Sequence, residues 1–238
     1  MASIDPPAPD FTKPEFRELT DALKTGTYIF LGAGISRLAG YPLWKELSDK
    51  MVEKFWERRE QFKSQDFKYS HKEWLLKEIN SIDVMDYLNA IDPQLFQKTI
   101  EEELGKDAQD TAIYKRMAVL FNSANRFITP NIDRGLEKYY GIGEKDIGIN
   151  PTLRTTAKLN YIHGRVDQPG NWIFTRNNYS RNYLTVSSKI MEYLVYIFKT
   201  SNVVFMGYSL RDFEILQAVS KSILDAEGGR FPKIVERI

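Results

Sequence analysis

An α/β fold, with a parallel sheet flanked by helices, is what this sequence predicts, and three features carry the prediction. Four short runs of β-branched, aromatic and aliphatic residues recur along the chain. Each of them ends in a polar or glycine-containing loop. Between them lie stretches whose apolar residues fall at helical spacing, and that alternation builds a parallel sheet covered on its faces.

Residues 1–13 read as an irregular, proline-containing lead-in. Pro14 suits the first turn of a helix running roughly from Pro14 to Lys24 and ended near Gly26. TYIFLGAGIS then reads as a buried strand feeding a tight turn. From Pro42, Leu43, Leu47, Met51, Val52 and Phe55 fall at the spacing of an amphipathic helix. Helical segments continue from about residue 60 to 122, with polar breaks near Gln61–Tyr69, Ile91–Pro93 and Gly105–Asp110. The region of about 45–122 is therefore expected to be a helical insertion or a small lid subdomain. A second strand, Arg126–Thr129, meets an abrupt polar turn, PNIDRG, and a short helix, LEKYY. The third, LNYI, ends at His163–Gly164; the fourth, NVVFMG, runs into YSLRD and a final helix near Phe213–Leu224. The tail GGRFPKIVERI reads as a strand that stops early, so the chain is expected to be the N-terminal part of a longer one.

Composition removes several function classes. At 238 residues the chain suits one well-buried domain. Its 33 basic and 32 acidic residues leave a net charge of +1, too little to form a global field for nucleic acid or an anionic membrane. The chain has no cysteine, which excludes disulfides, thiol nucleophiles and thiolate-ligated zinc modules such as a zinc ribbon. Only two histidines, His71 and His163, are present, so no metal site is expected. No apolar run approaches the roughly 20 residues that span a bilayer, and the N-terminus lacks the basic-then-apolar layout of a secretory signal. A soluble cytoplasmic protein is expected.

The four strand-end loops are natural candidates for one shared site, because open α/β sheets bind ligands at the carboxyl ends of their strands. Gly32-Ala33-Gly34-Ile35-Ser36 follows the first strand, where glycines permit a tight turn and let backbone N–H groups approach a pyrophosphate. The spacing departs from the dehydrogenase pattern G-x-G-x-x-G, since the next glycine is Gly40. By itself the loop fits a ligand-free turn equally well. Thr129-Pro130-Asn131-Ile132-Asp133 fits a turn and helix cap as readily as a ligand site. His163, a single histidine at a strand end, is either structural or chemical. In Gly207-Tyr208-Ser209-Leu210-Arg211-Asp212, Ser209 or Asp212 would also serve as a helix cap.

Taken in order, GAGIS–GYPLW, TPNID, HG and GYSLRD resemble the sirtuin-like NAD-binding domain, most nearly the sirtuin-like NAD hydrolases of bacterial antiphage defence proteins. The motifs run from about residue 28 to 215, most of the chain. The resemblance implies a Rossmann-like sheet and NAD consumed as a substrate. It implies that Gly32, Ala33, Gly34, Ile35 and Ser36 wrap the NAD phosphates, and that Asn131 and Asp133 contact the nicotinamide ribose and the nicotinamide. His163 would be a general base toward a ribose hydroxyl or the attacking species, and Gly207 and Ser209 would touch the adenosine side. Such roles suit the chemistry, because positive character builds on the ribose as nicotinamide leaves. An amide oxygen orients a water or hydroxyl there, and a neutral imidazole accepts its proton. Asp133, hydrogen-bonded to the carboxamide, would hold the leaving group.

Two departures narrow the reading. Pro130 stands where most sirtuins have glutamine, which removes a donor and restricts Thr129 to extended geometry. Protein deacylases of this family carry a four-cysteine zinc ribbon after the H-G motif, whereas this chain has no cysteine. With the acyl-lysine groove missing, water becomes the natural acceptor, and hydrolysis to nicotinamide and ADP-ribose is expected over transfer to a protein. A regulated effector follows, held in a homo-oligomer or a larger defence assembly with a sensor domain or a partner such as an Argonaute-type or ATPase subunit. A non-catalytic NAD or ADP-ribose sensor and an NAD-dependent deacylase are the alternatives. His71, in YSHKEW, reads as a surface or boundary side chain, and Trp44 as a core residue or a wall of the nucleotide pocket. RREQFKSQDFK reads as a solvated helix end. Arg176, Arg181 and the tyrosines around them suit a phosphate site or an interface equally.

Overall fold

A computed structural model of the chain describes residues 13–61, 69–185, 187–209 and 212–224. Helix α1 (Pro14–Thr25) places Pro14 in its first turn, where a missing N–H leaves no bond unmade. The chain leaves it through Gly26, at φ +105°, and enters strand β1 (Tyr28–Leu31). Gly32 separates β1 from α2 (Ala33–Leu38). Five helices follow: α3 (Trp44–Glu57), α4 (Tyr69–Lys77), α5 (Ser81–Ile91), α6 (Pro93–Leu104) and α7 (Ala112–Arg116). The break at Ile91–Pro93 is a shared boundary: the Asp92 carboxylate accepts from the amides of Gln94 and Leu95, capping α6 as α5 ends.

Strand β2 (Arg126–Thr129) leads into α8 (Gly135–Tyr140), then β3 (Ile147–Ile149) and β4 (Leu159–Tyr161). Helices α9 (Arg176–Tyr183) and α10 (Lys189–Thr200) precede β5 (Val203–Met206), and α11 (Phe213–Leu224) closes the described chain. All pairings are parallel and the strand order is β3-β4-β2-β1-β5. The order reverses at β1, which pairs with β2 on one side and β5 on the other. This is the Rossmann-like arrangement expected, with its crevice at the carboxyl ends of the strands.

The period of two along each strand sorts the core into two layers. Ile29, Leu31, Phe127, Leu159 and Tyr161 pack with residues of α2–α8, among them Met51, Met85 and Ile100. Phe30, Ile128, Val203 and Phe205 pack on the other face against Ile190, Leu194 and Ile197 of α10 and Ala218 of α11. The helices from α3 to α7 are thus continuous in their apolar packing with one face of the sheet.

Three features go beyond the sequence reading. A fifth strand, β3, lies at the sheet edge; three residues, Ile-Gly-Ile, are too few and too glycine-rich to stand out as a strand run. Helix α10 buries Ile190, Met191, Leu194, Ile197 and Phe198, an i, i+4, i+7 face between β4 and β5. Helix α9 is short and almost wholly polar, RNNYSRNY, so it carries no amphipathic signal; a Thr175–Asn178 capping box fixes its start. The lead-in through residue 12 and the tail GGRFPKIVERI lie outside the described residues, as does part of RREQFKSQDFK.

Candidate functional site

The exits of β1 and β5 are joined backbone to backbone. The Gly32 amide donates to Met206 O over 2.9 Å and the Gly34 amide to Gly207 O over 2.8 Å. A Cβ on Gly32 would sit 2.6 Å from Tyr208 Cα, and one on Gly34 would sit 3.0 Å from Gly207 Cα. Gly207 itself adopts φ +62°. The glycines therefore serve the close approach of two loops, and the Gly32 and Gly34 amides are already engaged. Ile35 is a core residue at 6% exposure. Ser209 is exposed beyond this junction, and Leu210 and Arg211 lie outside the described residues.

The exit of β2 carries a hydrogen-bond chain. Thr129 Oγ1 donates to Leu31 O over 2.8 Å and accepts from the Asn131 amide over 3.0 Å, which ties this turn to β1. Asn131 Nδ2 donates to Gly32 O at 2.8 Å and to Ser36 Oγ at 2.9 Å. Ser36 Oγ in turn donates to Asp133 Oδ2 at 2.6 Å, and Asp133 Oδ1 accepts the Gly135 amide at 3.1 Å. With both Nδ2 hydrogens placed, the amide plane of Asn131 is fixed, and Oδ1 is the polar atom left for a ligand or water. Burial pushes the Asp133 carboxyl up from its ordinary value, against the donors from Ser36 and Gly135 that lower it.

The exit of β4 turns sharply at Gly164, at φ +86°, where a Cβ would lie 2.7 Å from Asn171 C. His163 O accepts the Ile173 amide over 3.1 Å, so the loop after the histidine folds back on it. His163 Nε2 lies 2.7 Å from Tyr183 Oη, and the Tyr179 ring meets the imidazole edge-on at 5.4 Å. Burial lowers the imidazole from 6.5 to about 3, so the ring is neutral in ordinary buffers.

Next to these residues the Arg165 guanidinium is 5% exposed and the Glu137 carboxylate 3%. Arg165 pairs with Glu137, Glu144 and Asp167, while Arg134 and the Tyr161 hydroxyl complete the shell of Glu137. Trp172 Nε1 donates to Arg165 O over 2.8 Å. The segment from His163 to Asp167 is thereby anchored to α8.

One cavity collects half of the ten expected residues. Ala33, Ser36, Asn131, Asp133 and His163 all line it, and its volume is about 50 Å³. Tyr41, Pro42, Trp44, Leu47, Ile173 and Phe174 are among the other residues that line it. Trp44 and Phe174 meet edge-on with ring centroids 5.0 Å apart. Gly32, Gly34, Ile35 and Gly207 are not among the lining residues; Gly32 reaches the site through its carbonyl contact with Asn131. Ser209 is not among the lining residues. Phe174 carries no local signal, and the tyrosines around Arg176 and Arg181, Tyr183 among them, suit a phosphate site or an interface in the sequence but are not marked there as partners of His163. Among the described residues no group of three or more His, Cys, Asp or Glu is placed to hold a metal ion. No helix among them is long and apolar enough to cross a membrane.

Comparison with known proteins bears on this geometry. Residues 125–235, which contain TPNID, HG and GYSLRD, match the sequence model of the SIR2-like domain. The chain is also 25% identical over 212 residues to Defense-associated sirtuin 2 of Bacillus subtilis, an alignment that covers 84% of this chain and 19% of that protein. The chain thus spans about a fifth of the length of the curated relative it matches.

Proposed function

We propose that this sirtuin-like chain takes NAD as a substrate and hydrolyses its nicotinamide–ribose bond, releasing nicotinamide and ADP-ribose. The observation that carries the reading is the convergence of Asn131, Asp133 and His163, from two different strand ends, on one cavity above the β1 turn. In the reaction the C1′–N bond breaks and nicotinamide departs with the bonding pair. A water oxygen adds to C1′ and its proton passes to solvent. Asn131, held by Gly32 O and Ser36 Oγ, offers Oδ1 to orient that water or a ribose hydroxyl. Asp133 is suited to hold the carboxamide, and His163 stands at the ribose. The site needs no metal ion for this division of labour.

The cavity, at about 50 Å³, is small against the roughly 300–1,000 Å³ of ordinary ligand sites. Entry of a dinucleotide would require the Trp44–Phe174 wall to part, and Trp44 belongs to the helical region after β1. That fits an enzyme kept closed until triggered, as uncontrolled NAD loss would harm the cell. We read the chain as a regulated effector of antiphage defence, consistent with the name of its relative, that works in the cytoplasm and acts as an oligomer or with a sensor domain or partner protein. The helices between β1 and β2 would then be its lid.

Incubating the purified protein with NAD and following nicotinamide release tests the proposal. Turnover that disappears in Asn131→Ala and in His163→Ala is the expected result. Saturable NAD binding without product, in protein shown to be in its assembled state, would favour a sensor instead. Turnover dependent on an acyl-lysine peptide would favour a deacylase.

A further inference from the structure

His163 meets two tyrosines of α9, and the hydrogen between it and Tyr183 is placed by what each partner has left. Tyr183 is 3% exposed and His163 5%. Tyr183 Oη makes its one hydrogen bond among the described residues with His163 Nε2, at 2.7 Å. Were Nε2 to carry the hydrogen and donate to the phenol oxygen, the phenol hydrogen would be buried without an acceptor. A buried donor left unpaired costs more than a net hydrogen bond returns. With the phenol as donor, the ring hydrogen sits on Nδ1 instead. That nitrogen has no protein partner among the described residues, and it belongs to a side chain that lines the cavity.

The position of Tyr183 is itself fixed. Helix α9 is held at its start by Asp86, whose oxygens accept the Arg176 amide at 3.1 and 3.2 Å, and by the ion pair of Arg176 with Asp83 of α5. Along the helix the Tyr179 and Tyr183 rings stack with centroids 5.8 Å apart.

We propose that Tyr183 is a positioning residue that occupies the basic nitrogen of His163 and makes the imidazole present Nδ1–H, a hydrogen-bond donor, to the cavity. What that donor meets rests on the function proposed above: it grips a ribose oxygen of NAD, and His163 orients the sugar without removing a proton from it. This assigns His163 a different part from the general base that the resemblance implies.

Protein labelled with nitrogen-15 in its two histidines, studied by NMR with no nucleotide present, tests the assignment, and His163→Gln identifies the signals. Wild-type His163 is expected with a pyrrole-like Nδ1 and a pyridine-like Nε2. Tyr183→Phe removes the donor and should shift the tautomer ratio about five- to tenfold toward Nε2–H. Tyr179→Phe keeps the donor and should leave the ratio unchanged. A wild-type ring protonated on Nε2 overturns the proposal, as does an unaltered tautomer in folded Tyr183→Phe. Should Tyr183→Phe not fold, the wild-type tautomer still decides. Since no turnover is read, a protein that left NAD intact but showed Nδ1–H would lose the proposed function and keep Tyr183 in its positioning role.

Discussion

Ser36 Oγ donates to Asp133 Oδ2 across 2.6 Å, a hydroxyl of α2 bound to a carboxylate that is only 7% exposed. The same oxygen accepts Asn131 Nδ2, so one atom links the carboxylate to the amide at the proposed reaction centre. Ser36→Ala leaves Asp133 with fewer donors and Asn131 with Gly32 O alone. A cost of about 1–3 kcal/mol is expected in urea unfolding, because a buried acceptor loses its partner. Nicotinamide release should fall by about tenfold, the scale of one well-placed hydrogen bond. An unchanged unfolding midpoint with unchanged turnover would show that the hydroxyl carries neither role.

Gly32→Ala tests the junction of β1 and β5. The added Cβ would lie within 2.6 Å of Tyr208 Cα, a backbone atom that a rotamer change cannot move. Spreading the two strand exits should cost about 1–3 kcal/mol, the range of overpacked interiors, and should also loosen Gly32 O, which holds Asn131. Gly143→Ala is the control, with nothing within 4 Å of its Cβ position. Equal melting temperatures for the two variants would contradict the close-approach role of Gly32.

How much of this was legible in the sequence follows from how local each signal is. β1, β2, β4 and β5 are runs bounded by turn residues, and Pro14, Gly26 and Pro93 sit where helix ends need them. β3 is three residues whose strand state comes from pairing with β4, 12 positions further along the chain. Asn131, Asp133 and His163 were found as motif residues, but Ser36 as the hub between two of them needs the fold, since it lies 95 residues from Asn131. Tyr183 was invisible as a partner of His163 for the same reason, 20 residues away on a helix without an apolar face. The glycine loop by itself fits a ligand-free turn as well as a phosphate site, and its tight packing on Gly207 emerges only when β5 is set beside β1.

His163 gives the fold a pH dependence of definite sign. Its ordinary value is 6.5, and burial lowers it to about 3 in the folded chain. Between those values the unfolded chain binds the extra proton, so stability is fully present above pH 6.5 and is lost as pH falls toward 3. The slope from this one group is at most about 1.4 kcal/mol per pH unit. Asp133 acts in the opposite sense, because its raised value lets the folded state take up a proton first. Comparing wild type with His163→Gln separates the two, since glutamine does not titrate and keeps an acceptor for Tyr183. Urea unfolding at successive pH values should show wild type losing stability faster on acidification than the variant. Parallel curves would mean that the folded imidazole titrates as it does in the unfolded chain.

The Arg165–Glu137 pair gives the last test, of the anchor next to His163. Arg165 Nη1 lies 3.4 Å from Glu137 Oε2, and the Tyr161 hydroxyl donates to the same oxygen at 3.0 Å. Asp167 takes Arg165 Nε at 2.7 Å and Nη2 at 3.0 Å, a two-pronged contact that fixes the guanidinium plane. Arg165→Met strips a cation from a buried carboxylate, and the expected loss is about 3 kcal/mol, the low end for a broken buried pair because Arg134 still reaches Glu137. Removing both charges, in Arg165→Met with Glu137→Met, should recover part of that loss, since the desolvated carboxylate goes with its partner. The single variant should also slow nicotinamide release, because Arg165 lies two positions after His163 and its carbonyl holds Trp172. If the double variant lost as much as the two single losses added together, the charges would be acting separately, and the anchor would have to lie in the Trp172 and Asn171 contacts alone.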